Sequence, residues 1–157
     1  MTWTLDMPHI RPWSEMWRLV QHNYAIVESR YYHSISTPNN DVIKYDVYNF
    51  FVSAYHLHEH LAKDRIDSLV DDSVRSAALD AATAPPIKLA GDITNTFKHH
   101  TRSRGREVRI VQLTSAPSAT LGWINRDGSS ETRDVLVAAQ EVVSFWRQFI
   151  FDHGLTA

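Results

Sequence analysis

The chain has 157 residues, 43% of them hydrophobic, and five Trp, six Tyr and six Phe give it the apolar area for one packed core. It contains no cysteine, which excludes disulfides, thiolate metal sites and cysteine nucleophiles together and fits a reducing, cytoplasmic setting. No apolar run approaches the roughly 18 residues of a membrane span, and Asp6, Pro8 and His9 interrupt the stretch where a secretory leader needs continuous hydrophobicity.

The net charge of −2 hides an uneven distribution. Residues 98–109 (KHHTRSRGREVR) hold five basic side chains against one acidic, while the segments on either side are net acidic. Lys98, Arg102, Arg104, Arg106 and Arg109 therefore form a candidate nucleic-acid contact. The alternative is a solvated helix end whose cations complement the helix dipole.

In chain order, residues 1–12 read as an extended arm with Trp3 as a potential anchor. A first helix is expected from Ser14, an N-cap residue, to Tyr32, because Trp13, Trp17, Val20, Tyr24 and Val27 recur at three- and four-residue spacing. Ser34–Asn40 is a loop built on Thr37-Pro38-Asn39-Asn40. The second helix, Asp41–Asp64, carries Val47, Phe50, Phe51, Ala54, Leu57 and Leu61 on one stripe, and Asn49, Ser53, His56, His60 and Lys63 on another face. A third helix is expected over Ile66–Ala82, its first turns rich in Asp. Pro85-Pro86 stops it and starts a fourth, Pro86–Thr101, with Ile87, Ala90, Ile93 and Phe97 inward.

Beyond Gly105 the periodicity changes. Val108–Thr114 and Ala119–Asn125, rich in branched residues, read as a β-hairpin around Ala116-Pro117-Ser118. Asp127-Gly128 makes a second turn into a short strand at Ser130–Arg133. A last helix, Asp134–His153, has Val135, Ala138, Ala139, Val142, Phe145, Trp146 and Phe149 on one face, and Gly154 closes it. The fold class is thus mainly α: a single domain, a bundle of about five helices, with a small antiparallel hairpin inserted before the last.

Two histidine-bearing segments can carry chemistry. His56 and His60 lie four apart on the second helix, the spacing at which two imidazoles converge, although a metal needs further ligands from elsewhere, and polar neighbours satisfy such histidines equally well. On the fourth helix Asp92, Asn95 and His99 form a polar stripe with Lys98 beside it. His99 there is a candidate general base, Asn95 an orienter, Asp92 an accompanying acid, and Lys98 and Arg102 candidates to hold a phosphate. The structural reading of the same stripe is a set of polar ties inside the bundle. No glycine-rich phosphate loop, dinucleotide fingerprint or Gly-x-Ser-x-Gly elbow occurs, and no cofactor is expected.

The runs FFVSAYHLHEHLAKD from Phe50 and GDITNTFKHH from Gly91 resemble a group of uncharacterised bacterial and phage proteins. That group pairs a His-Leu-x-Asp-Trp helix with an Asp-x-x-Asn-x-x-Lys-His helix followed by a β-hairpin. This chain has Glu59 and His60 where that pattern has Asp and Trp. The layout also resembles the HEPN superfamily of helical bundles, which includes metal-independent RNases and implies a defence or toxin setting. The arginine that precedes the superfamily's histidine is missing: Asn95 to His99 has only the spacing, and Arg18 to His22 falls on the first helix. The residues therefore point first to a non-catalytic interaction protein, self-associating or bound to a protein partner through a helical or ribbon surface. Second comes a HEPN-like RNase or RNA binder using His99 and the basic segment.

Overall fold

The computed structural model describes residues 12–33, 40–99, 106–113 and 119–157. Residues 1–11, with Trp3, the loop at 34–39, the segment 100–105 and the hairpin turn at 114–118 lie outside the described residues. Five helices and three strands follow in the order α1 (Trp13–His33), α2 (Asn40–Lys63), α3 (Asp72–Ala81), α4 (Pro85–His99), β1 (Arg109–Leu113), β2 (Ala119–Ile124), β3 (Ser130–Asp134) and α5 (Val135–Asp152). The mainly helical architecture with an antiparallel ribbon before the last helix is as the periodicity requires, with the ribbon three strands wide.

α2 is the central element, packed against α1, α3, α4 and α5. Its stripe of Val47, Phe50, Phe51, Ala54, Leu57 and Leu61 is buried, and on α4 Ile87, Ala90 and Ile93 are buried against it. Where α2 and α4 cross, Gly91 lies under the Tyr55 ring. A Cβ at that position would stand 2.6 Å from Tyr55 Cε2, so the close approach of the two helices requires glycine. α5 joins the same core through Val142, Trp146 and Phe149, and the Trp146 indole N–H donates to the Ala54 carbonyl at 2.9 Å. The second face of α2 is not all solvent: Ser53 is buried, donating to the Phe50 carbonyl (2.8 Å) and accepting from Asn23 Nδ2 of α1 (3.1 Å).

Three details differ from the sequence expectation. α1 begins at Trp13 rather than after Ser14, and the Trp13 N–H is taken by a carboxylate oxygen of Asp64 at 2.8 Å. Ser14 therefore lies inside the helix, and the Asp64 side chain caps it from the end of α2. α3 begins at Asp72, not Ile66. The Asp64 carboxylate accepts from the Ile66 and Asp67 N–H groups (2.8 and 3.0 Å), Asp67 accepts from Leu69 N–H (2.9 Å), and Asp71 is the N-cap, accepting from Val74 N–H (2.9 Å). These local side-chain acceptors draw off the donors a helix would use and leave Ile66 exposed. Phe97, expected inward, is 46% exposed and stacked on Tyr48 at 4.6 Å between ring centroids.

The sheet order is β1-β2-β3, both pairs antiparallel. Arg109 opposes Gly122 and Gly122 opposes Thr132, and the β1–β2 register slips between Ile110 and Gln112. Alternation turns Leu121 and Trp123 to the core and Ile124 outward. Trp123 is buried. The β2–β3 turn uses Asp127-Gly128 as expected: Gly128 has φ 83°, and Asp127 accepts from the Ser129 N–H at 2.9 Å. Asp134 caps α5 through the Val137 N–H, and Gly154, φ 63°, follows its end.

Candidate functional site

The polar stripe of α4 faces the chain as it enters the ribbon. Asp92 is buried, and one of its carboxylate oxygens accepts from Arg106 Nε at 2.9 Å. The same guanidinium lies over the Trp123 ring, 5.1 Å from its centroid, so the cation has an anion on one side and an aromatic face on the other. One turn along, the Thr96 hydroxyl donates to the Asp92 carbonyl (2.8 Å) and accepts from the Val108 N–H (3.0 Å). Together these contacts latch β1 and β2 to α4. Trp123 Nε1 is buried there with no hydrogen-bond partner among the described residues.

The remaining stripe residues divide by depth. Asn95 is half-buried and Lys98 is exposed. His99 ends α4, and its side chain, like Arg102 and Arg104, lies outside the described residues. Of the basic segment, Arg106 is engaged by Asp92 and Trp123, and Arg109 forms an ion pair with Glu107, with Nε at 2.6 Å. Lys98 has no ion-pair partner among the described residues.

The histidines of α2 behave individually. His56 lies 3.8 Å from Glu59, which also meets Lys63 at 3.7 Å, an exposed cluster along one helix face. His58, which the spacing did not single out, is buried: its Nδ1 donates to the Tyr55 carbonyl, and its ring rests against the Tyr55 ring at 4.7 Å. Because a carbonyl only accepts, the proton must sit on Nδ1. Among the described residues no group of three or more His, Asp or Glu side chains is arranged to hold a metal, and His56 and His60 gain no third ligand there. α2 and α4 do abut, through Tyr48–Phe97 and Tyr55–Gly91.

The acid with the most elaborate surroundings was not among the sequence candidates. Asp64 is fully buried. Burial alone would raise its pKa, but the N–H groups of Trp13, Asp67 and Ile66 and the charge of Arg75 outweigh that and hold it below the ordinary carboxylate value. The Trp13 indole N–H completes the clasp, donating to Asp67 at 2.7 Å, and Arg75 donates to the Asp64 carbonyl at 3.2 Å. Its signal in the sequence was the run of acids at 64, 67 and 71 immediately after an apolar helix, a spacing typical of side chains that bond their own turn. This clasp positions α1 and offers no open chemistry.

No helix among the described residues is long and apolar enough to cross a membrane. Comparison of the chain with protein-family models, with curated proteins and with solved structures finds no match to any of them, so the functional reading stands on its own residues.

Proposed function

We propose that the chain is a small non-catalytic interaction protein that works through its surface. The observation that supports this is the use of its polar side chains. Asp92, Arg106 and Thr96 hold the ribbon to α4, and Asp64 holds α1 to α2, while large apolar side chains stand in solvent. Ile124, 70% exposed on the outward side of the ribbon, and Phe151, 79% exposed on α5, are of this kind. Among the described residues β3 pairs on one side only, so the ribbon also presents a strand edge. A second copy of the chain or a protein partner meeting one of these exposed features is the occupant the reading implies.

The alternative, a HEPN-like RNase or RNA binder, draws its support from Lys98 and the basic segment that follows α4. With Asp92 committed to Arg106, catalysis would rest on His99 with Asn95 and Lys98. Incubating the pure protein with labelled RNA, with and without chelator, tests the catalytic form of this alternative. The expected result is intact RNA. Metal-free cleavage that His99→Ala abolishes would overturn the non-catalytic reading. Light scattering over micromolar concentrations then reports self-association, which Ile124→Asp is expected to reduce, and a monomer throughout removes the homodimer form.

A further inference from the structure

We infer that the end of the α2–α4 pair around Tyr48 and Phe97 is a stacking platform for the bases of a single-stranded nucleic acid. This goes beyond the protein-partner reading above: it keeps the non-catalytic character of that reading and gives the chain a different occupant at a different place. The geometry begins with Phe97. Its ring is stacked on Tyr48 with an interplanar angle of 23°, and Tyr48 itself is buried. One face of Phe97 is thus held by a rigid neighbour while the side chain remains 46% exposed. A buried ring carrying a half-exposed ring in parallel presents a flat, preorganised surface, and every base has a flat face that fits it.

The flanks are aromatic and cationic. Tyr45 and Lys44 precede Tyr48 by three and four residues on α2, so both border the stack on the same helix face. Tyr45 is 55% exposed, large enough to accept a second base. Lys98 follows Phe97 directly and is exposed. Neither Lys44 nor Lys98 has an ion-pair partner among the described residues, whereas the acid beside them on α2, Asp46, is met by Arg30 at 3.1 Å. Among the described side chains the platform therefore carries net positive charge, from Lys44 and Lys98, on a chain whose formal net charge is −2. Aromatic faces with cations spaced along them suit a polyanion whose bases are unpaired. A duplex keeps its bases stacked on one another and shows the platform only phosphates.

Fluorescence anisotropy with a labelled single-stranded RNA of about a dozen nucleotides tests the proposal, because that length fits a small binding surface. Binding should weaken as salt rises, and a duplex of the same sequence should bind less tightly. Phe97→Ala should weaken binding by roughly 5- to 150-fold, the range that follows from removal of one stacking aromatic. Lys98→Ala should weaken it less and flatten the salt dependence by about 0.7 in slope, the value for one phosphate contact on a single strand. Leu79→Ala, exposed on α3, should leave affinity unchanged. No binding at low salt, equal affinity of Phe97→Ala and wild type, or a preference for duplex each overturns the platform. So does a self-association lost in Phe97→Ala, which would make the face a contact between copies. Electrophoresis of the recovered RNA distinguishes the two levels: shortened RNA overturns the non-catalytic reading, whereas intact but unbound RNA overturns the platform alone.

Discussion

Two buried aspartates close two junctions of this molecule by different means. Asp64 joins α2 to α1 almost wholly through backbone donors, taking the N–H groups of Trp13, Ile66 and Asp67. Asp92 joins α4 to the ribbon through a side-chain cation, Arg106, whose charge is also placed over Trp123. Backbone donors are fixed by the fold, and a buried one such as the Trp13 N–H has no substitute if its acceptor leaves. A guanidinium that is about one-third exposed can turn to water when its partner is removed. The first junction is therefore expected to be rigid and costly to break, the second adaptable.

The most severe test of this contrast is Asp64→Ala. The Trp13 N–H loses its acceptor where water has little access, those of Ile66 and Asp67 lose theirs nearer the surface, and a loss of about 2–4 kcal/mol is expected by denaturant unfolding. A loss below about 1 kcal/mol would mean that the clasp adds little. The same carboxylate sets a pH dependence. Its folded pKa is depressed, so its contribution is present above the ordinary value of 3.8 and is lost as pH falls through the folded value. Asp64→Asn should accordingly be much less stable than wild type at neutral pH, and the gap in Tm should narrow as the solution is acidified below the carboxylate range. A gap independent of pH would assign the effect to shape rather than charge.

At the second junction Asp92→Ala should cost only about 1–2 kcal/mol, because Arg106 retains Trp123 and gains water. Arg106→Lys should cost less again, under about 1 kcal/mol, since an ammonium keeps the charge and forfeits the flat stacking on the indole. If Asp92→Ala proves as damaging as Asp64→Ala, the two junctions are alike and the distinction between backbone and side-chain partners fails.

The contrast also explains what the sequence could and could not disclose. The faces of α2, α4 and α5 were legible because burial against a neighbour imposes a 3.6-residue rhythm on Phe50, Leu57, Ile93 and Trp146 alike. The start of α3 was not, because Asp64, Asp67 and Asp71 keep the chain in turns that apolar spacing alone does not reveal. Nor was the capping role of Asp64, whose partner Trp13 lies 51 residues earlier. The polar stripe on α4 was visible as a stripe, yet the use of Asp92 depends on an arginine 14 residues later, brought back by the turn into β1. Phe97 was misplaced because rhythm continues to a helix end whether or not the position is covered, and there Phe97 stacks on Tyr48 and stays 46% exposed.

The hydrogen bond from Trp146 to the Ala54 carbonyl spans 92 residues, and it bears on how the protein is made. Ala54 sits in the middle of α2, so the central helix keeps an open flank until α5, the final helical segment, has been synthesised and released from the ribosome. Translation that stalls before Trp146 leaves the flank of α2 at Ala54 without α5, and such nascent chains would be targets for chaperones and proteases rather than a slowly maturing form of the protein.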